Sequence, residues 1–173
     1  MTAATSSAGP PPTAVAWEGG DLLLERVFDA PPELVFRAWT EPEHFAGWWG
    51  PRGSSLSLFR MEVRPGGAFH YRHSFPDYPD VWVAGEYREV APPERLSFAC
   101  WFSDAEGGRA ERPGFPAEME MDVKFEALER GTRVAVRHAG LVRDQGEVQG
   151  WRESLDRLAE LLAAHPTTHG EVR

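Results

Sequence analysis

Hydrophobic and polar positions along this chain change period more than once, and the changes outline its architecture. Residues 117–127 alternate strictly, with Met119, Met121, Val123 and Phe125 on one side and Glu118, Glu120, Asp122, Lys124 and Glu126 on the other. A two-residue period predicts a strand with one buried and one wet face, the habit of antiparallel sheets. From residue 144 to 165 the steps become three and four: Val148, Trp151, Leu155, Leu158 and Leu162 form one apolar stripe on a long helix. Asp144 and Glu147 suit a capping box at its start, and Pro166 marks its stop. Glu153 with Arg157, and Arg152 with Asp156, are spaced to pair along its solvent side.

The remaining elements follow from the same reading. Residues 21–28 (DLLLERVF) predict a strand, and Pro31-Pro32 opens a helix over 32–39. Thr40 is spaced to cap a second short helix over 41–48. Strands are then predicted over 56–63, 68–74, 81–90, 94–102, 117–127 and 132–138, with Pro65-Gly66-Gly67 as a hairpin turn. The order strand, two helices, six strands, helix describes an α+β domain. Its curved antiparallel sheet of about seven strands would have one face covered by the only long helix. A helix that does not fill the curve leaves an apolar cavity between the two layers. Residues 103–116, rich in Gly, Pro and charge, form a connection longer than a hairpin loop, either a surface loop or a flap over that cavity.

Composition narrows the setting. Residues 1–20 and 166–173 read as disordered tails around a domain at 21–165. The N-terminus has neither a basic segment nor a sustained apolar one, so no secretory signal is expected. The single cysteine, Cys100, fits a reducing compartment, and the expected location is cytoplasmic. A net charge of −9, with Lys124 the only lysine, argues against nucleic acid as a partner. No apolar run is long enough for a membrane span.

Candidate chemistry is sparse. Seven tryptophans in 173 residues is high, and the rings either fill the core or line the cavity. Met119 and Met121 face inward with Phe125 and have the same two readings. His138 shares the inward parity of Val134 and Val136, either as a hydrogen-bonded core residue or as a group that orients a ligand or moves a proton. Glu86, on the parity of Trp82 and Ala84, would be an acid or base if that parity faced inward. His70 and His73 lie on opposite faces of one strand and cannot chelate together, so no metal is expected. Gly66-Gly67 precedes no helix and is no phosphate loop, and no cofactor is expected. Cys100, mid-strand, reads as a small core residue.

Several of these segments resemble a known family in both content and order. They are Arg26-Val27-Phe28-Asp29-Ala30-Pro31, Val35-Phe36-Arg37-Ala38-Trp39-Thr40, Trp48-Trp49-Gly50-Pro51, Arg64-Pro65-Gly66-Gly67, Gly85-Glu86-Tyr87, Pro92-Pro93-Glu94-Arg95-Leu96 and Gly150-Trp151-Ser154-Leu155. The family is named after the C-terminal domain of the activator of heat-shock protein 90 ATPase, within the START/Bet v 1-like (SRPBCC) superfamily. The resemblance implies a helix-grip fold, and its superfamily spans lipid and hormone binders, aromatic cyclases and co-chaperone domains. The first expectation is a hydrophobic or aromatic small molecule bound between sheet and terminal helix. Its expected contacts are Trp39, Trp48, Trp49, Phe69, Tyr71, Trp82, Met119, Met121, His138, Trp151 and Leu155. The alternatives are a co-chaperone-like module with a chaperone partner, and a cyclase- or hydrolase-type enzyme using His138 or Glu86. The co-chaperone reading lacks a counterpart here for that activator's large N-terminal domain. Family members of this size also suggest a homodimer.

Overall fold

The computed structural model describes residues 13–141 and 146–164. In chain order the elements are β1 (Ala14–Glu18), β2 (Asp21–Phe28), α1 (Pro32–Thr40), α2 (Pro42–Phe45), β3 (Ser55–Met61), β4 (Ala68–Ser74), β5 (Val81–Ala91), β6 (Arg95–Phe102), β7 (Met119–Ala127), β8 (Thr132–Ala139) and α3 (Glu147–Ala164). All eight strands form one antiparallel sheet in the order β1-β2-β8-β7-β6-β5-β4-β3. The six-strand meander is present as β3 to β8. The predicted first strand, β2, joins its far side by pairing with β8, Leu24 opposite Val136.

The eighth strand lies where a tail was expected. Ala14–Glu18 pairs with β2 through Glu18-Gly19-Gly20-Asp21, a two-residue hairpin in which Gly19 takes a φ of 60°. The Gly-Gly pair was the available signal. The strand itself is nearly all exposed, so it carries no alternation to find. Among the described residues, strand pairing therefore begins at Ala14, ahead of Asp21.

Two register shifts, between Leu58 and Arg60 on β3 and between Tyr87 and Glu89 on β5, bend the sheet. Its concave face carries alternating buried rows: Leu22, Leu24, Arg26 and Phe28 on β2, then Met119, Met121, Val123 and Phe125 on β7. On β8 the row is Thr132, Val134, Val136 and His138. α3 lies against this face with Trp151, Ser154, Leu155, Leu158 and Leu162 buried. Ser154 is on the buried stripe, whereas Val148, expected there, is only partly buried. α1 packs Val35, Phe36, Ala38 and Trp39 into the same core.

The helix ends differ from the sequence reading in detail. Thr40 is the last residue of α1, and its hydroxyl donates to the Phe36 carbonyl at 3.0 Å instead of capping α2. α2 is a single turn ending at Phe45. The proposed cap at Asp144 lies outside the described residues. Neither intrahelical pair expected on α3 forms; Asp156 and Arg157 make tertiary contacts instead. Asp156 takes the guanidinium of the buried Arg26. Arg157 donates to the carbonyls of Gly50 at 2.8 Å, Pro51 at 3.2 Å and Gly47 at 3.3 Å.

Gly85 shows why a glycine recurs in mid-strand. A Cβ there would stand 2.2 Å from Cζ of Phe69 and 2.3 Å from the Ala99 carbonyl oxygen, so the Phe69 ring lies directly over bare backbone. Gly85→Ala is expected to lower the unfolding free energy by about 1–3 kcal/mol, the usual cost of overpacking. Urea denaturation with an unchanged m-value is the check.

Candidate functional site

The curved sheet and α3 do not close completely. Between them lies a cavity of about 290 Å³. Its floor is strand residues of inward parity: Tyr71 and His73 on β4, Val81 and Val83 on β5, Cys100 and Phe102 on β6, Met119 and Met121 on β7, His138 on β8. Trp151 and Ser154 descend from α3, and Trp49, Gly50 and Pro51 form the adjoining turn. Phe115, from the long connection after β6, supplies a further part of the wall. Arg112 stacks over Phe102 and Phe115, with its guanidinium 4.9 Å from the Phe102 centroid. The long connection after β6 thus borders the cavity through Phe115.

The Trp48-Trp49-Gly50-Pro51 turn is built around four contacts. Trp48 is fully buried and donates its indole N–H to the Ala38 carbonyl at 2.8 Å. The Trp49 carbonyl receives His73 Nε2–H at 3.2 Å. Gly50 donates its N–H to Ser154 Oγ at 3.0 Å and offers its carbonyl to Arg157. Gly50 also sits at φ 118°, and a Cβ there would lie 2.5 Å from His73 Nε2. Both the backbone angle and the close approach require glycine.

Two indoles organise the polar atoms of the cavity. Trp49 donates its N–H to the Tyr71 hydroxyl at 2.8 Å, and Trp151 donates its own to His138 Nδ1 at 3.0 Å. The two indole rings meet edge to face, centroids 4.9 Å apart. Because His138 Nδ1 accepts, the neutral ring carries its proton on Nε2, which is 3.4 Å from the Met119 sulfur, a weak acceptor. Burial lowers the His138 pKa to about 4, and burial likewise lowers that of His73 to about 4. Burial pushes the Cys100 thiol up to about 12 and raises the Tyr71 phenol as well, so all four groups are uncharged near neutral pH.

Of the residues expected to contact a ligand, Trp49, Tyr71, Met119, Met121, His138 and Trp151 come together on this cavity. Trp39 and Phe69 border a separate space of about 20 Å³ on the other side of Trp49 and Tyr71. Trp48 and Leu155 are core. Trp82 is a correction. It lies on the convex face, stacked on Phe59 and His70 with Arg72 over its ring. The shared parity of Trp82, Ala84 and Glu86 was right but its direction was not. The inward row of β5 is Val81, Val83, Gly85 and Tyr87, and β5 alone, with apolar residues on both parities, could not show this. Glu86 accordingly has a side chain 43% exposed, 3.9 Å from Arg88, and cannot serve the cavity as a buried acid or base. Residues not anticipated include His73, Val83, Cys100, Phe102, Phe115 and Ser154. For His73 the signal was its shared parity with Tyr71. Among the described residues no group of three or more His, Cys, Asp or Glu is placed to hold a metal ion, and no helix is long and apolar enough to cross a membrane.

Comparison with known proteins agrees with this geometry. The family described as Activator of Hsp90 ATPase homolog 1-like protein matches residues 29–163. The chain belongs to this family. Among solved structures, a protein of Chromobacterium violaceum is 29% identical, with a TM-score of 0.73 over 82% of this chain and 96% of that one. A protein of Nitrosomonas europaea is 27% identical, with a TM-score of 0.72 over 87% and 98%. A Mycobacterium smegmatis protein at 23% identity shares the fold, with a TM-score of 0.79 over 92% and 99%. No curated protein matches.

The two buried histidines make stability depend on pH in a defined direction. In the unfolded chain each binds a proton near pH 6.5, whereas the folded protein resists it until about pH 4. The unfolded state therefore binds more protons in this window, and stability falls as pH drops from about 6.5 to about 4. Urea titrations at pH 7 and pH 5 are expected to show a lower midpoint at pH 5. The difference should shrink in His73→Asn/His138→Asn.

Proposed function

We propose that this protein binds a hydrophobic or aromatic small molecule in the cavity between the sheet and α3. The observation that carries the reading is the cavity itself: about 290 Å³ walled by Trp49, Trp151, Phe102, Phe115, Met119, Met121 and Val83, with its polar side chains buried and already oriented. The space opens to solvent, so its apolar walls lack the packing contacts that a filled core would supply. A guest of matching volume recovers those contacts and excludes water. Membership of the family supports a ligand-binding domain in general terms. Met119 and Met121 allow the floor to adapt to an irregular shape.

Catalysis has less support. Glu86 is on the far side of the sheet, and His138 is held neutral between Trp151 and Met119, with no carboxylate bonded to it among the described residues. A base that accepts an indole proton on one nitrogen and is desolvated on all sides is poorly placed to take a proton from a substrate.

Two measurements test the binding reading. Intrinsic fluorescence should change on titration with a fitting guest, because Trp49 and Trp151 both border the cavity. A panel of lipids, polyketides and aromatic compounds, scored by thermal shift, should contain compounds that raise the melting temperature. Val83→Phe, which adds a ring from the floor, is expected to weaken binding of those compounds at least tenfold while leaving stability equal or higher. A panel with no active member, or full affinity in Val83→Phe, would remove the proposal.

A further inference from the structure

The chemistry of the guest is constrained by which protons the indoles leave free. Tyr71 is 6% exposed, and its oxygen already accepts the Trp49 N–H. Its own proton finds no acceptor among the described residues, although the side chain borders the cavity. His138 is 5% exposed, its Nδ1 is taken by Trp151, and its Nε2–H meets only a thioether. A buried donor without a good acceptor is costly, and a guest that accepts the proton removes that cost. The same device orients both donors: an indole N–H takes the single acceptor nitrogen of His138, which then has only a proton to give, and one lone pair of the Tyr71 oxygen, which keeps its proton to donate.

Charge narrows the class further. Neither Arg nor Lys is among the described residues on the cavity wall, and Glu147 contributes a carboxyl group to it. An anionic headgroup would find no Arg or Lys among the described residues of the wall, and burying an anion without one is unfavourable. A fatty acid is therefore a poor fit. A pure hydrocarbon fits the walls but leaves the Tyr71 proton without an acceptor and that of His138 on a thioether.

We infer that the cavity selects neutral, flat, apolar molecules carrying a carbonyl-type oxygen that accepts a hydrogen bond from Tyr71 or His138. This rests on the cavity being a ligand site, and it adds the polarity of the ligand. Trp49 and Trp151 become positioning residues for the two donors, not merely apolar walls.

A matched set of probes on one skeleton tests this with the wild-type protein: fluorene, 9-fluorenone and fluorene-9-carboxylate, titrated by fluorescence or calorimetry. 9-Fluorenone is expected to bind at least tenfold more tightly than either of the others, and its carbonyl stretching band should move to lower wavenumber on binding. Tyr71→Phe or His138→Leu should abolish the preference over fluorene and return the band toward its position in an apolar solvent. His138→Gln, which still offers an N–H and can accept from Trp151, should restore it wherever His138→Leu removes it. Equal affinity for fluorene and 9-fluorenone, or a preference surviving in both Tyr71→Phe and His138→Leu, overturns the inference while leaving the cavity a binding site. Tighter binding of the carboxylate overturns it in the same way. Failure of all three probes together with the whole wider panel overturns both readings.

Discussion

The rest of the structure depends on α3 being held against a concave sheet by the polar contacts of Trp151, Ser154 and Arg157 and by the packing of its leucines. Leu155, Leu158 and Leu162 are buried against the core as ordinary apolar packing. On its polar flank, Trp151 reaches His138, Ser154 receives Gly50 N–H, and Arg157 gathers three carbonyls of the 47–51 turn. Hydrogen bonds are directional and act at a fixed separation, whereas apolar packing closes until atoms touch. A helix pinned in this mixed way can be packed at one end and stand off the sheet at the other. The cavity is the space left by that difference.

The same division explains how much of the fold could be read from the chain. Elements whose burial follows a strict period were legible: the alternation on β7, the stripe on α3 and the inward parity of His138 on β8 all match the structure. β1 was missed because almost none of it is buried, and only the Gly19-Gly20 turn betrayed it. β5 was read with its faces reversed because Trp82 is a large apolar residue on the convex side, where stacking on Phe59 and His70 and cover from Arg72 replace burial in the core. A tryptophan sheltered by neighbours on an outer face looks, in sequence, like a core tryptophan.

The candidate site was legible in its apolar half. Trp49, Met119, Met121 and Trp151 were expected from the excess of aromatic and flexible side chains, and each borders the cavity. The polar half depends on contacts between residues far apart in the chain, such as Trp49 with Tyr71 and Gly50 with Ser154. No local period encodes those. The Trp48-Trp49-Gly50-Pro51 motif signals a turn, but the demand for glycine at its third position arises from His73, two elements away.

Neutral histidines in a ligand cavity are usually considered as latent bases, and the hydrogen bonds here argue for a different role. A histidine that is to take up a proton needs a lone pair facing the donor and a partner that stabilises the cation. His138 has its Nδ1 lone pair occupied by Trp151 and has a thioether beside its Nε2–H. Protonation would break the first contact and gain nothing from the second. The arrangement instead fixes one tautomer, and with it a donor of known direction in a buried wall, where any hydrogen bond it made would be stronger than in water. Read this way, the tryptophans of the family motifs set the polarity of the cavity as well as its shape. Trp49 and Trp151, placed on separate elements and meeting edge to face, tie the orientation of Tyr71 to that of His138.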